Sequence, residues 1–324
     1  MASYILRRIL YMVPILFGVM VITFVVFNVV TRPEEMARRM LGPRASQQQV
    51  EEWKKQRGYD KPLFLNLKGE GGFLDTQFVL AVRQMATFDL GVSDATGEPI
   101  SQMIRRGILP SLCLTLPAFA LGLFLSVSIA LLLVFVRESL IDRWGVVLSV
   151  AVMSVPIIVY VIFGQWLAAS WLNYFPAFGF NPEGFSTVRF IALPVAIMVL
   201  SGLGSDVRLY RAIFLEEIKA DYIRTAQAKG ASGTRVLFTH VLKNGLISLI
   251  TLVVSSLPFL IMGTLVIENF FGVPGLGNMA VKAITTSDFA LVRANVYFGS
   301  ILFLVGLLIT DLCYAAADPR IRLR

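Results

Sequence analysis

Residues able to do chemistry are few in this sequence, and most stand alone. The single histidine, His240, excludes a His-x3-His zinc site. No Gly-x-Ser-x-Gly elbow and no Gly-x4-Gly-Lys-Ser/Thr loop occurs, so neither a hydrolase nucleophile nor a nucleotide cradle is encoded. The run Gly272-Val-Pro-Gly-Leu-Gly277 is glycine-rich but lacks dinucleotide spacing. Cys113 and Cys313 lie far apart in apolar sequence, which suits buried small hydrophobes better than a disulfide or a metal site. Two carboxylates, Asp206 and Asp311, border apolar stretches. An acid inside a membrane is a candidate proton relay; near a span's end, with Arg208 or Arg320 in reach, it better suits a paired interfacial role. The sequence thus offers no catalytic set, metal site or cofactor site of its own.

The elements around these residues must be membrane helices. Of 324 residues, 56% are hydrophobic and 15% charged, with mean hydropathy +0.73. Soluble domains carry about 25% charged residues. No charge interrupts Arg8 to Arg32, Arg106 to Arg137, Arg143 to Glu183 or Lys243 to Glu268. Each gap exceeds the roughly 20 residues a helix needs to cross hydrocarbon. Arg189 to Asp206 and Arg293 to Asp311 are shorter and span if their ends snorkel. The runs are continuous rather than alternating, which favours helices over barrel strands. The expected fold is therefore an all-α membrane protein with six transmembrane helices, near 9–30, 109–136, 145–171, 189–209, 246–267 and 290–314. The first run is too long for a signal peptide and lacks a cleavage pattern, so it reads as an uncleaved span.

Lysine and arginine set the orientation. They crowd before the first span (Arg7, Arg8), after the second (Arg137, Arg143), between the fourth and fifth, and at the C-terminus (Arg320, Arg322, Arg324). The positive-inside rule then makes both termini cytoplasmic, with a large extracytoplasmic loop between helices 1 and 2. The net charge of +8 is mostly this bias and argues for no nucleic-acid partner.

Three regions follow: 1–31, the N-terminus and first span; 32–107, the extracytoplasmic loop or subdomain; and 108–324, the remaining five spans, with a polar cytoplasmic loop at 207–245. In the first polar region, Ser46 and Gln49 form a capping box, Val50 and Trp53 an apolar pair, and Gly58 a stop, which predicts a short helix. It reads either as a solvated loop or as a docking surface for an extracytoplasmic partner. In the second, Ile218, Tyr222 and Ala226 recur every four residues, which predicts one helix face. Gly230 can end that helix left-handed, and Ser232 can cap the next, through Val236, Leu237 and Val241. Ser248, Thr251 and Ser255 make a hydroxyl stripe on the fifth span. It is a candidate pathway lining and equally a helix-packing face. Pro156 and Pro258 are candidate kinks.

Several of these segments, in order, resemble the permease subunits of dipeptide/oligopeptide ABC importers, the binding-protein-dependent transport inner-membrane components. Asp221-Tyr-Ile-Arg-Thr-Ala-Gln-Ala-Lys-Gly230, continuing through His240 to Asn244, is similar to the family's coupling loop. Glu268-Asn-Phe-Phe-Gly-Val-Pro-Gly-Leu-Gly277 resembles its signature before the last span, and Asp318-Pro-Arg-Ile-Arg322 its C-terminus. Gly58-Tyr-Asp-Lys-Pro62, Asp89-Leu-Gly-Val-Ser93 and Val155-Pro156 fall in the family's order, closest to the B-type subunit with its long first loop. The chain departs from the family at Thr31-Arg-Pro-Glu34, where Gly-Asp-Pro is usual, and at Ser248, where proline is frequent.

The resemblance implies a permease that moves peptides or peptide-like solutes inward and is not itself an enzyme. It implies an ATPase-coupling loop at Asp221, Tyr222, Arg224, Thr225, Ala226, Ala228, Lys229 and Gly230. The implied partners are a second homologous permease subunit in a heterodimer, two cytoplasmic ATPase subunits that bind ATP and Mg, an extracytoplasmic solute-binding protein, and membrane lipid. The alternative from the residues alone is an ion-coupled secondary transporter using an intramembrane carboxylate, Asp206 or Asp311.

Overall fold

The computed structural model describes residues 2–30, 33–42, 44–64, 66, 72, 74–181 and 185–317. Thr31, Arg32 and the C-terminal motif at 318–322, with Arg320, lie outside the described residues. Among the described residues the protein is all-helical. Five helices are long and apolar enough to cross a membrane: Tyr4–Val30, Ile100–Phe135, Thr187–Glu217, Ser248–Phe271 and Phe289–Cys313. A sixth candidate is a pair, Leu140–Met153 and Ile157–Trp171, bent by 86°.

The chain divides into two compact units. The first comprises Met1–Gly107 and Met279–Leu308. In it, α1 (Ala2–Phe24) widens over Val25–Val30, and the polar region then forms α2 (Pro33–Leu41), α3 (Gln47–Gln56) and α4 (Gln77–Ala86). The Ser46–Gln49 capping box starts α3 as its sequence anticipates, satisfying one amide at each end of the box. Gly58, at φ +72°, turns the chain just beyond α3. Met36, Ala37, Val50, Trp53 and Tyr59 bury against one another. This packing makes the region a small folded layer instead of a plain solvated loop.

Polar ties complete that layer. Asn28 Nδ2 donates to Gln77 Oε1 at 2.9 Å, and Gln77 Nε2 donates to the carbonyls of Tyr59 and Lys61. Arg57 lies over the Trp53 ring, 4.4 Å from its centroid, and pairs with Asp94 at 2.6 Å. Asp288 accepts from Ser93 Oγ and from the Asp94 amide, pinning the loop ahead of α5 to the residue before the last helix.

The second unit comprises Ile108–Asn278 and Ile309–Leu323. It contains most of α5 (Ile100–Phe135), then α6 (Leu140–Met153), α7 (Ile157–Gly164, widening over Gln165–Trp171) and α8 (Phe185–Glu217). The short helices α9 (Asp221–Ala228) and α10 (Gly233–Arg235) follow, with a wide turn at Val236–Leu242 leading into α11 (Lys243–Met262). Then come α12 (Leu265–Phe271), α13 (Leu276–Thr285) and the last helix, α14 (Phe289–Ala317).

Two expectations change. The run 145–171 is not one helix, because Pro156 caps α7 after a sharp break; its missing N–H and fixed φ suit a helix start and not an interior. Helix α5 begins nine residues before the expected 109, and α8 runs eight beyond 209. Hydropathy marks only the lipid-facing part of a helix, while the backbone continues until a turn ends it.

Among the described residues two apolar cores hold this unit. One gathers Leu114, Val161, Leu193, Ile197, Ile267 and Phe271; the other gathers Ala130, Leu131, Val134, Tyr210, Phe214, Ile223, Val236, Leu237, Val241 and Leu249. Helices α6 and α8 run against each other over much of α6. Gly204 allows it: a Cβ there would stand 2.9 Å from Met153 N and 3.2 Å from Val152 Cβ. Small residues at such crossings are how helices approach closely in lipid.

Candidate functional site: the α9 turn and the carboxylates of the second unit

The segment 207–245 is built from short helices joined by two sharp turns. Helix α8 ends at Glu217, the chain turns over 218–220, and α9 restarts at Asp221, its carboxylate in the first turn where the helix dipole favours a negative charge. Gly230 takes φ +83° and lets the chain reverse, with its amide donating to the Gln227 carbonyl at 2.9 Å. Ser232 Oγ then accepts from the Arg235 amide and starts α10.

Two residues of α9 are buried. Ile223 (1% exposed) enters the core formed with Leu131 and Val134 of α5, Phe214 of α8, and Val241, and Ala226 (9%) is buried one turn further on. The four-residue period through Ile218, Tyr222 and Ala226 is therefore not one face of one helix, because Ile218 sits in the turn before α9 begins. Ile223, absent from the sequence-derived set, is the deeper anchor; its signal was the i, i+3 spacing to Ala226. Asp221, Tyr222, Arg224, Thr225, Ala228, Lys229 and Gly230 are exposed. Of the eight candidate residues, seven are thus exposed and Ala226 is buried.

The surface carries few internal bonds. Arg224 reaches Asp221 at 3.5 Å with both side chains mostly in solvent, and Thr225 Oγ1 donates to the Asp221 carbonyl. Such exposed pairs contribute little to stability. Tyr222 Oη donates to the Glu217 carboxylate, a contact across the turn. Burial first, and then that carboxylate, push the Tyr222 phenol above its ordinary value, so it stays protonated and donating.

Behind this segment is a clamp. Arg211 of α8 donates from Nε and Nη2 to Asp142 Oδ1 and Oδ2 of α6, at 2.8 and 2.7 Å. Asp142 Oδ2 also accepts from the Glu138 amide, and Ser139 Oγ caps the helix at the Asp142 amide. A two-pronged guanidinium–carboxylate pair fixes orientation as well as distance.

The Glu268 motif folds inward. Its carboxylate is fully buried, accepting from Ser111 Oγ at 2.8 Å and the Thr264 amide at 3.1 Å on Oε1, and from the Asn278 amide at 3.0 Å on Oε2. Ser111 Oγ in turn accepts from the Leu276 amide, and Asn278 Nδ2 donates to the carbonyls of Glu268 and Val273. Gly263 and Gly275 leave the space the carboxylate fills. The glycine-rich run is thus wrapped around an acid.

The hydroxyl stripe divides. Ser255 Oγ donates to the Thr251 carbonyl of its own helix at 2.8 Å, and Ser248 is exposed. Ser256, one position on, lines a cavity with Asp206. Arg208 approaches Met153 Sδ, on another side of α8 from Asp206. Asp311 lies half-buried on α14.

Comparison with known proteins agrees with this architecture. Residues 119–323 match the model of the binding-protein-dependent transport system inner membrane component family, and residues 1–115 match the corresponding N-terminal family. The chain belongs to this family and is an inner-membrane permease component. It is 32% identical to a putative peptide transport system permease protein of Brucella abortus, over 99% of both chains. It is 30% identical to the oligopeptide transport system permease protein AppB of Bacillus subtilis and 28% identical to the glutathione transport system permease protein GsiC of Shigella flexneri, again over 99% of each. These relatives leave the ion-coupled reading of Asp206 without support.

Proposed function

We propose that this chain is one permease subunit of an ATP-driven importer of peptides or peptide-like solutes, with α9 as the element that receives force from a cytoplasmic ATPase. The carrying observation is the split character of α9: Ile223 packs into a core with residues of α5 and α8 and Ala226 is buried, while Tyr222, Arg224, Thr225, Ala228, Lys229 and Gly230 are exposed. A helix anchored to its own protein on one side, with its remaining surface exposed, is suited to transmit a push.

In this reading both termini and the segment 207–245 are cytoplasmic, and 32–107 is an extracytoplasmic subdomain facing a solute-binding protein. ATP and Mg belong to two ATPase subunits, and a second homologous permease completes a heterodimer. Arg224 and Lys229 would meet acidic residues at the ATPase groove, where such charges mainly set orientation and association rate. When the ATPases close, α9 moves with α8, and the Asp142–Arg211 clamp carries α6 along. The spans then shift as rigid bodies between inward-open and outward-open states.

The test is co-expression with the chromosomal neighbours and purification through a tag on this chain. The wild type is expected to bring down ATPase subunits. Arg224→Glu with Lys229→Glu, both exposed, should lose them while the chain stays in the membrane. An ATPase retained undiminished by the double variant would refute the assignment of this face.

A further inference from the structure

A cavity of about 270 Å³ opens in the second unit between α5, α8 and α11, and one charged side chain faces it. Met198, Gly202, Asp206 and Tyr210 line one wall at successive steps of four residues, so they share one stripe of α8. Asp206 Oδ2 lies 3.6 Å from where a Cβ on Gly202 would stand, which places the carboxylate along that stripe. Opposite stand Thr115 and Phe119 of α5 and Ser256 of α11.

Among the described residues Asp206 makes no ion pair. Arg208 turns to Met153, and Arg211 is held by both oxygens of Asp142. A carboxylate in a membrane helix is unfavourable unless something balances it, and such acids mark solute pathways. Here the site combines one carboxylate with aromatic rings and hydroxyls in a space with the volume of roughly nine waters. That chemistry suits an ammonium group: ionic attraction from the acid, and an aromatic face from Phe119 or Tyr210.

We infer that this cavity is a binding station on the solute path, and that Asp206 accepts the ammonium group of a passing peptide. The inference rests on the peptide-importer reading above and adds to it where the solute's positive end is held. A cavity of this kind favours a weak hold, because a transported group must leave again.

The test reads the cavity directly. In the assembled complex, with Cys113→Ala and Cys313→Ala, a thiol is placed on the lining by Ser256→Cys. Its labelling rates are then measured with the cationic trimethylammonium-ethyl and the anionic sulfonatoethyl methanethiosulfonate reagents. With Asp206 present, the cation-to-anion rate ratio is expected to exceed that in the Asp206→Asn background about tenfold, and Asp206→Glu should restore it. Millimolar trialanine should slow labelling, and N-acetyl-trialanine should not.

No labelling of the Ser256→Cys variant by either reagent would overturn the inference, since the cavity would then be closed to solutes. An unchanged ratio in Asp206→Asn would overturn it too, since another subunit must then neutralise the acid. Equal protection by both peptides, or by neither, would overturn the assignment to the ammonium group. Labelling needs no turnover, so these failures are separable from failure of the importer reading, which would show as no ATP-dependent peptide uptake by the wild-type complex.

Discussion

Arg211 grips Asp142 with two parallel hydrogen bonds, Nε to Oδ1 at 2.8 Å and Nη2 to Oδ2 at 2.7 Å, and so fastens α8 to α6 ten residues before α9 begins. The Asp142 side chain is 7% exposed and that of Arg211 21%. Removing one partner of such a pair strands a buried charge, which costs more than the pair itself contributes.

Arg211→Ala is therefore expected to destabilise the protein by about 3–5 kcal/mol. Arg211→Lys should cost less, since it keeps the charge and loses the fork. Asp142→Leu with Arg211→Met should recover much of the loss. Thermal unfolding of the purified complex measures all three; an Arg211→Ala variant as stable as the wild type would show that the clamp carries no weight.

Glu268→Gln keeps the shape of the buried side chain but turns one acceptor into a donor, facing donors from Ser111, Thr264 and Asn278. The expected loss is about 1–3 kcal/mol, with a lower unfolding temperature and reduced uptake. Ser111→Ala, which removes a donor to Glu268 and an acceptor for Leu276, should behave similarly. Wild-type stability in both variants would mean the network is incidental.

Gly230 has open space where a Cβ would stand, so substitution there meets only backbone strain at φ +83°. Gly230→Val should cost about 1–2 kcal/mol and weaken ATPase association. Gly230→Asn should be milder, because asparagine tolerates the left-handed region. Co-purification yields from the two variants give the comparison, and equal loss from both would indicate that contact with a partner, not strain, decides the position.

What the sequence made legible was local or periodic. The capping box at Ser46 and Gln49, the turn at Gly230 and the cap at Ser232 each depend on residues a few positions apart, and each stands as its residues imply. The inward face of α9 was misassigned because a four-residue period was carried across the turn at 218–220. The break at Pro156 was legible as a proline in an apolar run, yet the 86° angle depends on packing. The pairs that organise the second unit were not legible at all: Arg211 and Asp142 are 69 residues apart, and Ser111 and Glu268 are 157 apart. Asp206 was visible as an odd charge, but only the fold places it in a cavity lined by Ser256, not beside Arg208.

Proximity cross-linking tests most directly whether the exposed face of α9 docks on an ATPase. A photoreactive benzoylphenylalanine replaces exposed Ala228 in one sample and exposed Phe163, on α7, in another, and membranes from co-expressing cells are irradiated. The expected result is an adduct of this chain with an ATPase subunit from position 228 and none from position 163. No ATPase adduct from 228, in a complex that still imports peptide, would contradict that docking.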